Sequence, residues 1–364
     1  MLLVTFHGSS TGITNAYAYD TTSGALNNSA ALTNAPLTDA ELRGIVYANS
    51  HLYVVNGGKH ASNILCFQPP AAGSTTWSFA FAGEFIGPSL SKKGHFENAI
   101  GHPYALQFNG TDHCYISNQD TNVVAQAKVA ADFLTAEVKK GCRSDYLSKL
   151  TGICPKKGCV YLDGTYAASQ VGALPDVEIA ATDVPSQYGG LSVNPPSNIT
   201  KVQNSVRDLA IFAGVLLVCD EPSNLIRLYS LTDGTYLGAS PALPKGPTHL
   251  AIFDAGLYVS AGNQLYWSPL GNPPAPSSLR FESVLTAPAD SNPFDVGGVS
   301  FDTASNAAYV AMQQGKGQTG SGAIYRYSVT NATASISPPV FGNATAFATI
   351  STDTPEFVLF LPNP

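Results

Sequence analysis

Histidine and arginine are the side chains here best suited to acid–base and anion chemistry, and both are scarce enough for their positions to be informative. The 364 residues include seven histidines and only 18 lysines and arginines together. His7, His60, His102 and His249, with Arg43 and Arg207, fall at equivalent places in a recurring strand pattern. A histidine exchanges protons near neutral pH. An arginine fork pairs with carboxylate, sulfate or phosphate. Together they suit removal of a proton beside a neutralised carboxylate. In a uronic acid, Arg207 or Arg43 would bind the carboxylate and acidify the C5 hydrogen, and His102 or His249 would remove that hydrogen as general base. A second histidine or a tyrosine would then protonate the leaving oxygen, with Tyr166 the candidate and Tyr104 close to a strand start. Arg43, His60, Asn56, Asn118, Asp120 and His7 are the expected substrate contacts.

Each of these residues also has a plainer reading. Arg43 and Arg207 could pair with Asp208 or with a carboxylate of a neighbouring unit. The stretches Asn118 to Asn122 and Asp220 to Asn224 could be turns closed by their own Asx side chains. His51, His95 and His113 have no positional argument and read as structural or exposed.

The pattern that places these residues is a turn residue followed by an alternating run that ends in an aromatic or aliphatic residue. Its copies are Leu42 to Tyr47, Pro103 to Phe108, Val206 to Phe212, Pro247 to Phe253, Val296 to Phe301 and Pro355 to Phe360. Most are followed by a tight turn and a second β run, as at His51 to Val55, His113 to Ser117, Val215 to Cys219, Gly256 to Ser260 and Ala307 to Ala311. Third runs include Asn63 to Phe67, Leu225 to Tyr229 and Ala323 to Tyr327. A repeat of roughly 40 to 60 residues with several strands per unit marks an all-β propeller. The last copy has no second strand of its own, while Leu2 to Phe6 reads as a second strand without a first. Pairing the two would complete one blade and close the ring.

This gives one domain over residues 1–364, with six blades traced. The interval from Phe108 to Val206 is about twice the usual unit. It is expected to hold a seventh blade within 109–205, or a long insertion around 125–205, with a helix possible in composition from Val129 to Lys140. In a propeller, the starts of the innermost strands and the loops after the second strands share one face. Arg43, His102, Arg207, His249 and Asp295 take the first kind of position. His7, Asn56, His60, Asn118, Asp120 and Asp220 take the second.

The formal net charge is -7 with basic residues scattered, which argues against a nucleic-acid partner. A ring of imidazole and guanidinium in such a chain would concentrate positive potential at one mouth and draw in an acidic oligo- or polysaccharide. No apolar run approaches the length of a membrane span, so no membrane partner is expected, and a monomer is. Sequons at Asn27, Asn109, Asn198, Asn331 and Asn343 point to a secreted, extracellular glycoprotein. Six cysteines allow three disulfides, and only Cys154 with Cys159, which bracket a short loop, is assigned as a pair.

The segments His102-Pro103-Tyr104-Ala105-Leu106, Cys114 to Val124 and Ser205-Val206-Arg207-Asp208-Leu209 resemble secreted fungal propellers of the NHL-like type, among them the rhamnose-glucuronate polysaccharide lyases. That resemblance implies seven blades and eliminative cleavage of a rhamnosyl-glucuronate linkage, with no cofactor required. The competing reading is a metal-dependent lactonase or sugar-acid hydrolase of the gluconolactonase type. It would need Asp120, Asp220, Asp295 and Glu356 around a divalent cation, Asp220 and Asp295 being the metal ligands singled out. A calcium that only supports the blades is compatible with either. A third class is a non-catalytic carbohydrate binder, although Trp77 and Trp267, the chain's two tryptophans, do not fall at the mouth.

Overall fold

Period-two alternation bounded by Gly, Pro, Asn and Asp builds short antiparallel strands, and a strand pair with apolar faces on both sides must be covered by neighbours. The computed structural model describes residues 1–7, 12–38, 40–58, 62–87, 102–119, 123–138, 159–161, 206–221, 223–232, 236–288, 294–314, 322–330 and 337–362. Among them the chain is all-β apart from a single 3₁₀ turn at Pro276–Ser278. No helix among the described residues is long and apolar enough to cross a membrane.

The strands form six sheets of a propeller. The first blade contains β1 (Leu2–Phe6), β2 (Tyr17–Tyr19) and β3 (Leu26–Asn28). The next contains β4 (Leu32–Thr33), β5 (Leu42–Ala48), β6 (His51–Asn56), β7 (Asn63–Gln68) and β8 (Phe79–Ile86), with β4 parallel to β8 on the outer edge. A third holds β9 (Pro103–Asn109), β10 (His113–Asn118), β11 (Val123–Val129), β12 (Ala136–Val138) and β13 (Cys159–Tyr161). The fourth holds β14 (Val206–Phe212), β15 (Val215–Asp220), β16 (Leu225–Ser230) and β17 (Tyr236–Ala239). The fifth comprises β18 (Pro247–Phe253), β19 (Gly256–Ala261), β20 (Gln264–Pro269) and β21 (Glu282–Thr286). The sixth comprises β22 (Phe294–Asp302), β23 (Ala307–Gln314), β24 (Gly322–Thr330), β25 (Val340–Phe341) and β26 (Thr345–Ile350). Finally β27 (Pro355–Phe360) returns to the first blade and pairs with β1, Leu2 opposite Phe360.

The innermost strands touch in the order β5, β9, β14, β18, β22 and β27, and β27 touches β5. Their approach is close enough to require glycine at two points. A Cβ on Gly44 would lie 2.9 Å from the Ala105 Cα, and one on Gly298 would lie 3.0 Å from the Phe357 Cα. Between blades the core is aromatic and aliphatic, with Tyr53 against Phe85 and Phe108, and Phe253 stacked on Phe301.

The register contains a feature that matters for the mouth. In every blade the pairing between the innermost strand and the second strand slips at its mouth end: between Val4 and Phe6, Leu42 and Ile45, Ser117 and Asn118, Val206 and Leu209, Pro247 and His249, and Val296 and Val299. A bulge twists the strand locally and re-aims the side chains around it. Arg43, Arg207 and Thr248 lie inside such slips.

Three expectations change. The count among the described residues is six sheets, and β9 and β14 touch directly, so no seventh blade stands between them. The helix expected from Val129 to Lys140 gives way to a turn and β12, because Phe133 takes a left-handed φ of 61° and the Asp132 carboxylate accepts the Leu134 N–H. Cys66, Cys114 and Cys219 are buried thiols rather than members of disulfides, each in the core of a different blade. The assigned Cys154–Cys159 pair lies outside the residues described with side chains.

Candidate functional site at the propeller mouth

Four blades supply the charged groups at the mouth. Arg43, second in β5, is 2% exposed and stands at the centre. Its Nη2 donates to Glu41 Oε2 at 3.2 Å and lies 3.4 Å from His102 Nε2. Its Nη1 lies 3.4 Å from Glu356 Oε2 and contacts His7 Nδ1. His7, just past β1, is 54% exposed at its side chain, and its Nδ1 is 3.1 Å from the same Glu356 oxygen. His102 is 3.4 Å from Glu41. Two imidazoles therefore flank one guanidinium, each with a carboxylate of its own.

His102 occupies a strained backbone position, with φ at 49°. Its N–H donates to Ser62 Oγ at 3.1 Å and its carbonyl accepts the Gln119 N–H at 3.0 Å. Gly57 faces the ring, and a Cβ there would come within 2.9 Å of His102 Cδ2. The imidazole is held by its surroundings and not by its own preference.

Below this layer, three side chains meet on the axis. The Tyr104 hydroxyl donates to Glu356 Oε1 at 2.6 Å. That proton being used, the phenol oxygen accepts from His249 Nε2 at 3.0 Å, while Nδ1 faces the Thr248 hydroxyl at 3.0 Å. Phe357 packs on the imidazole at 4.6 Å between centroids. Burial holds His249 neutral, with its pKa lowered to about 4. Burial would raise Glu356, but Arg43 and the hydrogen bond from His7 outweigh it and hold the carboxyl well below the usual range. Tyr104 is raised far above an ordinary phenol, first by burial and then by the Glu356 charge.

Arg207 completes the mouth. Its Nε donates to Glu221 Oε2 at 2.7 Å and its Nη1 to Gln119 Oε1 at 3.0 Å, while its guanidinium lies 5.0 Å from the Tyr104 ring centroid. Burial acts against its charge, but Tyr104 and Glu221 outweigh that and hold it firmly protonated.

The structure thus gathers His7, Arg43, His102, Arg207 and His249 around one opening, and it revises what several of them can do. The expected concentration of positive charge is absent among the described residues, because Arg43 faces Glu41 and Glu356 and Arg207 faces Glu221. Arg207 does not pair with Asp208, which accepts the backbone N–H groups of Leu209 and Leu250 and is pushed up to about 7 by burial. His249 is 1% exposed, with both ring nitrogens engaged, so it positions Tyr104 and does not face a ligand. Asn56 is also buried. It accepts the Glu41 and Gly58 N–H groups and donates to Asn63, which fixes the loop in place of contacting a ligand. His60, Asp120 and Tyr166 lie outside the described residues, as does the side chain of Asn118.

The proposed cation ligands do not converge. Asp220 is buried in an ion pair with Arg227 Nε at 2.6 Å, and Glu356 is held by Tyr104, His7 and Arg43. Asp295, raised by burial against the opposing charge of Lys245, stands at the start of β22. No group of three or more His, Cys, Asp or Glu side chains among the described residues is arranged to hold a metal ion.

Sequence reading passed over Glu41 and Glu221 and considered Glu356 only as a metal ligand. A signal was present, since each is adjacent to a mouth position: Glu41 precedes β5 and Glu221 follows β15.

No family model matches the chain, and no curated protein matches it. Solved structures resemble it in fold. A Lactobacillus plantarum protein is 13% identical, covering 96% of this chain and 82% of its own, with a TM-score of 0.52. The periplasmic gluconolactonase PpgL of Pseudomonas aeruginosa is 14% identical, covering 100% of this chain and 99% of its own, also at 0.52. At such identities the likeness is one of propeller architecture.

Proposed function

We propose that the mouth hydrolyses a neutral sugar-acid lactone, with His7 as general base. The observation that carries this is the hydrogen-bonded pair of exposed His7 and buried Glu356 beside a guanidinium already neutralised by carboxylates. A carboxylate at one imidazole nitrogen fixes ring orientation and stabilises the imidazolium that forms when the other nitrogen takes a proton. With Nδ1 directed to Glu356, Nε2 would draw a proton from water as it attacks the lactone carbonyl. The carbonyl oxygen becomes negative and is stabilised by Arg207, the guanidinium at the rim. The ring C–O bond then breaks, and the His102–Glu41 side of the mouth returns a proton to the departing alkoxide, giving the open hydroxy acid.

The uronate elimination suggested by the sequence fits this geometry less well. It requires an arginine able to neutralise a substrate carboxylate, and a carboxylate placed on Arg207 or Arg43 would sit beside Glu221, Glu41 or Glu356. A lactone brings no charge to that arrangement. The likeness to a propeller named as a gluconolactonase is in keeping with this choice, and the absence of a converging ligand set among the described residues favours a form of the reaction that needs no divalent cation.

The test is acid release from glucono-1,5-lactone, followed by pH-stat titration above the spontaneous rate, with and without chelator. Catalysed release that survives chelator and is lost in His7→Gln is expected. No release above background, or an ultraviolet-absorbing unsaturated product from a glucuronate polymer, would overturn the assignment.

A further inference from the structure

A second polar cleft, of about 470 Å³, opens between the blade of β1 to β3 and the blade of β22 to β26. β22 runs from the mouth at Phe294 to Asp302 at the cleft, so this opening is on the opposite face from the site above. Its walls carry the hydroxyls of Thr22, Ser23, Ser305 and Thr345, the ring of Phe347 and the guanidinium of Arg326. The turn bearing Thr22 and Ser23 is pinned to the neighbouring blade at Gly24, whose φ is 72° and whose Cβ would lie 2.9 Å from the Phe347 carbonyl oxygen.

Arg326 is unlike the arginines at the mouth and in the core. Arg43, Arg207 and Arg227 each lie within 3.4 Å of a carboxylate. Arg326 forms no ion pair among the described residues. It makes one long hydrogen bond, from Nη2 to Ser305 Oγ at 3.4 Å, and its Nε is buried without a hydrogen-bond partner. Asp302 also lines the cleft but is turned into its own loop: Oδ1 accepts the Ala304 and Ser305 N–H groups, and Oδ2 accepts the Ser305 hydroxyl at 2.5 Å. The Ser23 hydroxyl likewise donates to Asp20, so both serines present lone pairs to the cleft.

A planar cation without a counter-charge, ringed by hydroxyls and an aromatic face, matches a polyhydroxylated molecule that carries one oxyanion. We infer that this interblade cleft binds a small sugar-like anion, a sugar acid or a sugar phosphate, through Arg326. The inference does not depend on the chemistry assigned to the mouth.

The test is isothermal titration of the full chain with gluconate, glucose 6-phosphate and sorbitol, the last being gluconate's neutral counterpart. At least one anion should bind about tenfold more tightly than sorbitol, and the preferred anion tells carboxylate from phosphate. Arg326→Gln should weaken that binding by about tenfold or more. Thr345→Glu should do the same with the fold intact, because Thr345 is exposed and directly opposite Arg326 in the β24–β26 pairing, where a carboxylate would take up the guanidinium. His7→Gln at the distant mouth should leave binding unchanged. Equal binding of sorbitol, unchanged affinity in both cleft variants, or no binding of either anion below about 10 mM would each overturn the inference.

Discussion

The Tyr104 hydroxyl donates to Glu356 Oε1 at 2.6 Å, tying β9 to β27 across the propeller axis through two side chains that are both buried. A carboxylate held out of water is stable only with its hydrogen bonds satisfied. Tyr104→Phe keeps the ring packed on Phe357 and removes only the donor. It is expected to lower unfolding free energy by about 1–3 kcal/mol, measured by urea denaturation. A change within error would mean that Arg43 and His7 suffice for Glu356.

His7 is exposed and makes its contacts through one nitrogen, so its loss should affect chemistry far more than stability. His7→Gln is expected to reduce kcat for lactone hydrolysis by about 10²–10⁴-fold while the melting temperature stays put. Equal kcat in the variant would remove it from the mechanism.

His249 gives stability a pH dependence of defined sign. Its pKa falls from 6.5 in the unfolded chain to about 4 in the buried site, so between those values the unfolded chain binds the extra proton. Its contribution is complete above pH 6.5 and is lost as pH falls toward 4. The stability advantage of the wild type over His249→Gln should shrink over that window by a few kcal/mol, on the order of 3. Comparing the two proteins cancels the opposite trend from Asp208, whose raised pKa makes stability fall as pH climbs toward 7. A pH-independent difference would show that the imidazole titrates normally.

Arg227 and Asp220 form a buried pair on adjacent strands. Arg227→Met leaves the Asp220 carboxylate buried without its partner and should cost about 3–5 kcal/mol, whereas Arg227→Met with Asp220→Leu should recover most of that loss. Denaturation of the two variants side by side decides it. If added calcium restored the single variant, Asp220 would be acting as a cation ligand after all.

The blades were legible because an apolar alternation repeated around an axis leaves the same mark at each turn, as Leu42 to Tyr47 and Pro247 to Phe253 illustrate. The number of blades was less so, since sequence distance between Phe108 and Val206 suggested room for another sheet, whereas β9 and β14 are in contact. Strand starts located Arg43, His102, Arg207 and His249, but not whether each would be exposed. That depends on the bulges and on which neighbours reach the axis. His249 points inward to Tyr104, while His7, from a second strand, points out. The pairing carboxylates were hardest to foresee, because Glu41, Glu221 and Glu356 lie far in sequence from most of the groups they compensate, and residue type alone does not reveal a partner across blades.

The meeting of Tyr104, His249 and Glu356 makes this propeller a blind well and not a pipe. Below them lies a second space of about 170 Å³, bounded by inner strands of all six blades and by Asp208, and the stacked rings stand between it and the mouth. Whatever enters at His7 and His102 must depart by the same door, so outflow of the spent molecule and inflow of the next compete for one opening.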